Sequence, residues 1–452
     1  MFQRLLVANR GEIARRVIRG AKKLGIETVA VFSDADREMP FVREADRSVC
    51  IGPARAAESY LDMEAILQAA QQTESHAIHP GYGFLSENAL FAQMVIQQRL
   101  IWVGPPPRVI RLMGEKSPAK AAMKKVGLPM IPGSDGLLES LEEAAALAEK
   151  IGYPVLLKAD AGGGGKGMRR ADDPASLAEA WTAASNEARA AFGNGALYLE
   201  KYLEGARHIE FQILADQWGN AIHLFERECS IQRRHQKLLE EAPSLAISND
   251  VRMKLGERVA NAVAAIGYSG AGTVEFLRDA KSGELYFIEM NTRLQVEHPV
   301  TEEITGIDLV EAQLRVAAGE RLWLKQSDVK MSGHAIEIRL NAEDPDNGFR
   351  PTPGTIDALS APVGPRGTGR VRLDAAVEAG SRISPYYDSM IGKLIAWAPS
   401  RAEAITTLAG ALDELDVRGV TTTASLHKTI LAAPDFKAGD LQVGTIPGRP
   451  DL

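Results

Sequence analysis

Two periodicities alternate along the first third of the chain. Leu5-Leu6-Val7-Ala8 is a short continuous apolar run, the pattern of a strand buried on both faces. Over residues 12–24, Ile13, Val17 and Ala21 recur every four positions and predict a helix, which Gly25 stops. Residues 28–32 are β-branched or apolar, with Asp34 and Asp36 just beyond; residues 76–79 and 100–104 predict further strands. Strands alternating with helices predict a parallel α/β sheet. Pro105-Pro106-Pro107 reads as a turn or linker, followed by a helix over 116–126 that Gly127 ends, and by an Ala- and Glu-rich helix over 138–151. A small inserted domain is expected from there to about residue 204. Residues 273–277 and 286–291 alternate polar and apolar around the turn-forming 279–283, the pattern of a hairpin. A strand has a side-chain period of two, so Glu289 and Asn291 should share one face, with Ile288 and Met290 on the other and Glu275 able to join from the partner strand. The C-terminal third, punctuated by Gly354, Pro362, Gly364, Gly367 and Gly369, reads as strands and loops, with residues 401–415 as the last clear helix. No internal repeat or low-complexity tract interrupts the chain.

Composition narrows the class. At 452 residues the chain should hold two to four domains. With 45% hydrophobic and 25% charged residues, disordered, collagen-like and coiled-coil chains are excluded. A net charge of −7 gives no general attraction to nucleic acid or anionic lipid, so neither partner is expected, and any anion site must be built locally. Two cysteines, Cys50 and Cys229, cannot form a disulfide framework, which fits a reducing compartment; each is expected to be a small buried residue. The N-terminus has neither the apolar core nor the cleavage site of a signal peptide, and apolar runs such as 155–157 are too short to cross a bilayer, so a soluble cytoplasmic protein is expected.

The candidate chemistry is clustered. The first turn, Ala8-Asn9-Arg10-Gly11-Glu12, has one glycine where a dinucleotide site needs three, which argues against NAD. A predicted strand ends on Lys158 and leads to Gly162-Gly163-Gly164-Gly165-Lys166-Gly167-Met168. Consecutive glycines let backbone N–H groups converge on phosphate oxygens. The segment is not a P-loop, because Asp160 replaces the first glycine and Gly167 the Ser/Thr. A glycine run this mobile also suits a lid closing over nucleotide. Glu275, Glu289 and Asn291 are hard oxygen donors suited to Mg²⁺ that bridges substrate phosphates. Arg293, Gln295 and Glu297 continue the polar positions, interleaved with Leu294 and Val296, up to His298-Pro299. The basic stretch Gln232-Arg233-Arg234-His235-Gln236-Lys237 lacks interleaved aromatics and suits a pocket for phosphate or a small oxyanion better than nucleic acid.

Taken together, these pieces resemble the biotin carboxylases of the ATP-grasp superfamily. The resemblance runs from Asn9-Arg10-Gly11-Glu12-Ile13-Ala14 to Tyr387-Asp388-Ser389-Met390-Ile391-Gly392-Lys393. Its most specific stretches are His79-Pro80-Gly81-Tyr82-Gly83-Phe84-Leu85-Ser86-Glu87-Asn88, Arg233–Lys237, Glu289–Arg293 and Gln295–Pro299. It implies an α/β chain with α+β regions: a Rossmann-like parallel-sheet domain over 1–113, an ATP-grasp domain over 114–330 with a mobile lid subdomain at about 131–204, and a β-rich C-terminal domain over 331–452. It also implies that ATP phosphorylates bicarbonate to carboxyphosphate, whose CO₂ is captured by N1 of biotin.

By motif position, the resemblance gives Lys116, Lys158, Lys166, Gly163, Gly164, Gly165, Gly167 and Met168 to the ATP phosphates. It gives Glu200, Lys201 and Leu203 to the adenine, His208 and Gln232 to the ribose, and His235 and Lys237 to the ATP site. Glu275, Glu289 and Asn291 match ligands of Mg²⁺ or Mn²⁺, and Arg293, Gln295 and Val296 match the bicarbonate site. Glu297 matches the base that deprotonates bicarbonate, and Arg339 the cation that stabilises the biotin enolate. The implied partners are a biotin carboxyl carrier protein, carboxyltransferase subunits and a second copy of the chain. Neither a Met-Lys-Met biotin acceptor nor a carboxyltransferase-length segment is present, so a separate subunit is expected. The chain departs from the family pattern at Glu115, where Asp is common, at Ile338, where Cys is frequent before Arg339, and at Val420-Thr421-Thr422-Thr423, which lacks an Asn. The main alternative is a carbamoyl-phosphate-type ligase, which shares carboxyphosphate but uses ammonia; a non-catalytic nucleotide-binding protein and a dehydrogenase stand further off.

Overall fold

In the N-terminal region, the alternation of the short apolar runs feeds two cores at once. Leu5 and Val7 pack with Ile13, Val17, Ile18 and Ala21 of the helix Gly11–Lys23, while Leu6 and Ala8 point the other way, toward Ile66, Ala70, Phe91 and Trp102. The computed structural model describes residues 1–160 and 167–452. Five strands form a parallel sheet in the order Arg47–Gly52, Glu27–Ser33, Arg4–Val7, Ala77–His79, Ile101–Trp102. The expected helix ends as its sequence suggests, with Gly25 in the left-handed region at φ 71°.

A second sheet of nine strands, antiparallel throughout, carries most of the remaining chain. Its order is Leu285–Asn291, Gly270–Arg278, Arg207–Ala215, Ala221–Arg233, Gln236–Ala242, His334–Asn341, Met390–Ala398, Gly369–Ala375, Gly364–Arg366. One face is apolar: Ile209, Phe211, Ile213, Val274, Phe276 and Phe287 pack against Val259 and Val263 of the helix Asn249–Ala265. The alternate positions His208, Glu210 and Glu275 are thereby turned to the opposite face.

A smaller antiparallel sheet of Met168–Ala171, Val155–Ala159 and Leu197–Lys201 has its own core with the helices Leu141–Ile151 and Pro174–Phe192, built from Ala144, Ala148, Leu157, Leu177, Ala184 and Leu199.

Several expectations need correction. The helix expected from residue 138 begins at Leu141: the Ser140 side chain accepts from the Glu143 N–H and caps it, and Leu138 instead bridges to Leu197. Residues 401–415 are not the last helix, because Ala424–Ala432 and Pro434–Ala438 follow Arg401–Glu414. Neither has a side-chain cap to mark its start; burial of Leu426, Ile430, Leu431 and Phe436 holds them in place. Cys229 is buried as expected, but Cys50 is exposed, because it lies on the edge strand of the parallel sheet. The hairpin is present with Glu275 directly opposite Glu289, but a bulge at Ile288 resets the alternation. Phe287 and Met290 therefore share the core, and Ile288 lines the cleft with Glu289 and Asn291. Among the described residues, no helix is long and apolar enough to cross a membrane.

Candidate functional site

A cleft of about 750 Å³ lies between the small sheet and the polar face of the nine-stranded sheet. It gathers residues that are far apart in sequence: Lys116, Lys158, Met168, Glu200, Lys201, Leu203, His208, Gln232, His235, Lys237, Glu275, Glu289, Asn291, Arg293, Gln295, Val296, Glu297 and Arg339 all line it. Gly167 sits just behind the wall, at φ 73° with its carbonyl accepting from the Ala159 N–H, where a Cβ would collide with Ala159. Gly163, Gly164, Gly165 and Lys166 lie outside the described residues.

On the small-sheet wall, Lys158 and Glu200 project from neighbouring strands, with Nζ 2.6 Å from Oε2. Lys120 closes on the same carboxylate and lies 4.0 Å over the Tyr198 ring. Burial opposes ionisation of Glu200, but Lys158 and Lys120 outweigh it and hold the carboxyl below its usual range. Burial pushes the Lys116 amine down. Lys201 donates to the carbonyls of Gly152 and Tyr153 at 2.9 and 2.8 Å, which anchors the end of its strand. Sequence reading missed Lys120; its place one helical turn after Lys116 was the available signal.

On the opposite wall, Glu275 and Glu289 face each other across the hairpin ladder. The Asn291 side-chain N–H donates to Glu275 at 2.7 Å, and its oxygen accepts from Arg293 at 3.0 Å, so the amide braces the carboxylate. Crowding in the cleft and the Glu275 charge push the Glu289 carboxyl upward, although its side chain remains open to the cleft. Two opposed carboxylates, one of them accessible, form a hard-oxygen set that fits Mg²⁺.

Below them lies a buried ionic hub. Lys237 Nζ is 2.5 Å from Glu210, 2.6 Å from Glu297 and 3.2 Å from Glu275. Arg227, fully buried, pairs with Glu210 at 2.6 Å. His208 lies 3.1 Å from Glu275, and despite burial this carboxylate pulls its imidazole up to about 9. Glu297 immediately precedes the helix His298–Thr305 and is fully buried, its side chain turned away from capping; its second oxygen meets Arg339 at 3.0 Å. Burial opposes its charge, but Lys237 and Arg339 hold its carboxyl below the usual range. Arg339 also donates to Glu240 at 2.7 Å; burial, and Glu297 across the guanidinium, push Glu240 up to about 7.

The hub is braced from outside. Thr423 accepts from the Asn341 N–H and donates to the Arg339 carbonyl, and His427 Nε2 lies 2.8 Å from the same carbonyl. Thr423 thus stands in the segment that departs from the family pattern and still fixes the strand that carries Arg339. Arg293 pairs with Glu87 at 2.8 Å, tying the cleft to the N-terminal region. Lys393 donates to the Val296 carbonyl at 2.7 Å and pairs with Glu12, which in turn accepts from the Tyr82 hydroxyl. The polar alternation expected past Asn291 does not continue as strand: residues 292–297 form a loop, so Val296 and Glu297 both reach the cleft while Leu294 enters the core. Glu87, Glu210, Arg227 and Glu240 escaped sequence reading: a charge on a strand, as in the last three, looks like a solvated face, and Glu87 sits in a turn, where a charge is expected to be solvated.

A cleft between a small antiparallel sheet and a larger antiparallel sheet bearing paired carboxylates is the architecture of an ATP-grasp enzyme. Family models extend this along the chain: "Biotin carboxylase, N-terminal domain" matches residues 1–110, "Carbamoyl-phosphate synthase L chain, ATP binding domain" matches 115–325, and "Biotin carboxylase C-terminal domain" matches 337–447. The biotin carboxylase of Nostoc sp. is 53% identical over 445 residues, covering 98% of each chain. The chloroplastic biotin carboxylase of Arabidopsis thaliana is 52% identical over 443 residues, covering 98% of this chain and 82% of that one. Among solved structures, a Campylobacter jejuni biotin carboxylase in complex with β-γ-ATP superposes with a TM-score of 0.93 at 46% identity, covering 98% of each chain. The biotin carboxylase domain dimer of Hydrogenobacter thermophilus 2-oxoglutarate carboxylase, with MgADP, ADP and bicarbonate, superposes with a TM-score of 0.91 at 49% identity, covering 99% of this chain and 97% of that one. The chain belongs to the biotin carboxylase family.

Proposed function

We propose that this cleft catalyses the ATP- and bicarbonate-dependent carboxylation of biotin, with the roles that follow. The observation that carries the reading is the Glu297 carboxylate, fully buried and held ionised between Lys237 and Arg339. An ionised, water-shielded carboxylate beside Arg293 can take the proton of bicarbonate. The freed oxyanion attacks the terminal phosphorus of ATP, giving carboxyphosphate and ADP; breakdown of carboxyphosphate releases CO₂ and phosphate. The released phosphate takes the N1–H proton of biotin, and the resulting ureido anion bonds to CO₂ through N1. Arg339, which remains charged, stabilises the oxyanion that develops on the biotin ring.

Lys116, Lys158 and Lys237 supply positive charge along the nucleotide phosphates, with Met168 beside them; by motif the glycine run, outside the described residues, binds the same phosphates. Glu200, Lys201 and Leu203 form the adenine wall, and His208 and Gln232 face the ribose, with His235 beside them. Arg293, Gln295 and Val296 orient bicarbonate. Glu275 and Glu289, braced by Asn291, would hold Mg²⁺ or Mn²⁺. When bound, the ion neutralises phosphate charge.

We assign three functional units: residues 1–113, residues 114–330 with a lid at about 131–204, and residues 331–452. The partners we assign are a biotin carboxyl carrier protein, carboxyltransferase subunits, which choose the final acyl acceptor, and a second copy of the chain; the compartment we assign is the cytoplasm.

The test is product analysis. Purified protein with Mg-ATP and bicarbonate should hydrolyse ATP in a bicarbonate-dependent way and form carboxybiotin from free biotin. Glu297→Gln should lower that turnover by about 10²–10⁴-fold while nucleotide binding persists. Turnover near wild type would remove Glu297 from the mechanism, and carbamoyl phosphate formed from ammonia in place of carboxybiotin would favour the alternative ligase.

A further inference from the structure

The strands Ala221–Arg233 and Gln236–Ala242 are joined by two residues, with Arg233 paired to Gln236. Both joining residues are in the left-handed region, Arg234 at φ 49° and His235 at φ 66°. A two-residue hairpin with positive φ at both positions favours Asn-Gly, because other side chains are strained there. This chain places an arginine and a histidine there instead, and both line the cleft. The turn is held from behind: Arg233 donates to the Gly348 carbonyl at 3.1 Å and lies 3.9 Å over the Phe349 ring.

Charge gives the strain a purpose. Among the described residues, the other two guanidiniums lining the cleft are committed, Arg293 to Glu87 and Arg339 to Glu240 and Glu297. Lys158 is committed to Glu200, and Lys237 to three carboxylates. Arg234 meets no carboxylate among the described residues and its side chain is exposed at the cleft. Arg234 can therefore add charge to the phosphates beside the lysines without giving up an ion pair, and a planar guanidinium suits phosphate oxygens.

We propose that Arg234 binds the polyphosphate of the nucleotide, held over the cleft by a turn whose backbone strain is maintained for that purpose. The inference rests on the nucleotide reading of the cleft given above.

The test is a ladder of AMP, Mg-ADP and a non-hydrolysable Mg-ATP analogue, titrated calorimetrically into wild type, Arg234→Asn and Arg234→Lys. Asn accepts positive φ and carries no charge. Arg234→Asn should therefore melt at a higher temperature than wild type without ligand, yet bind the triphosphate about tenfold more weakly, with AMP affinity unchanged. Arg234→Lys should retain part of the triphosphate affinity and show no gain in stability. An unchanged ladder in Arg234→Asn, an equal loss for AMP, or a loss seen only in KM for a biotinylated carrier would each overturn the assignment. A wild-type protein that bound none of the three nucleotides would overturn the cleft reading itself.

Discussion

The two sheets of this protein use alternation to opposite ends. In the parallel N-terminal sheet both faces are apolar, so Leu5 and Leu6 each enter a hydrophobic core although they are adjacent. In the nine-stranded sheet one face is equally apolar, but the other buries Glu210, Arg227, Lys237, Glu275, Glu297 and Arg339 against one another. The first arrangement is secured by area removed from water. The second bears a desolvation cost for each ion and holds only because every charge finds a partner. Buried alternation of charge, unlike buried alternation of apolar residues, places reactive groups in fixed ionisation states at the edge of a cleft.

Three substitutions would break or sharpen that contrast, from the largest effect to the smallest. Arg227→Met removes one partner from the fully buried pair with Glu210 and should cost about 3–5 kcal/mol, read as a lower denaturant midpoint, with activity falling as well because Glu210 also holds Lys237. A midpoint shift no larger than that of an exposed substitution would mean the hub is not a cooperative unit. Leu6→Ala in the parallel sheet should cost about 2–5 kcal/mol yet leave turnover per folded molecule unchanged, since Leu6 touches only the apolar core. Loss of turnover in the folded fraction would show that the two regions are coupled.

Glu337→Gln should have the smallest effect, and its sign depends on pH. Glu337 is fully buried, neither of its oxygens has a hydrogen-bond partner among the described residues, and it pairs across the ladder with Glu240. Burial pushes its carboxyl well above the usual range. The folded protein therefore keeps a proton that the unfolded chain releases, and wild type loses stability as pH rises past the ordinary carboxylate range. The amide has no such proton, so Glu337→Gln should melt near wild type at pH 4 and above it at pH 8, the gap widening as pH rises. Parallel melting curves for the two proteins across that range would show that Glu337 is ionised in the fold.

The sequence was most legible where a period is short and local. The first helix, the early strands and the hairpin carrying Glu275, Glu289 and Asn291 follow from spacing alone, and the resemblance placed the remaining cleft residues by motif. The bulge at Ile288 was not legible, because one extra residue leaves no mark on composition. The short helices after residue 423 were missed because tertiary burial, rather than a cap, defines them.

The chain by itself thus determined which residues alternate, where helices start and stop, and which carboxylates, amides and cations are available. Only the tertiary structure decided which of them meet. Joining the hairpin, the strand His334–Asn341 and the C-terminal strands into one sheet requires long-range pairing, the widest being Leu239 with Ile338, 99 residues apart. The ionisation of Glu210, Glu240, Glu297 and Glu337 depends on burial and on partners brought in by that pairing. A glutamate on a strand has the same local signal in water as in a desolvated hub, and only the surroundings tell the two apart.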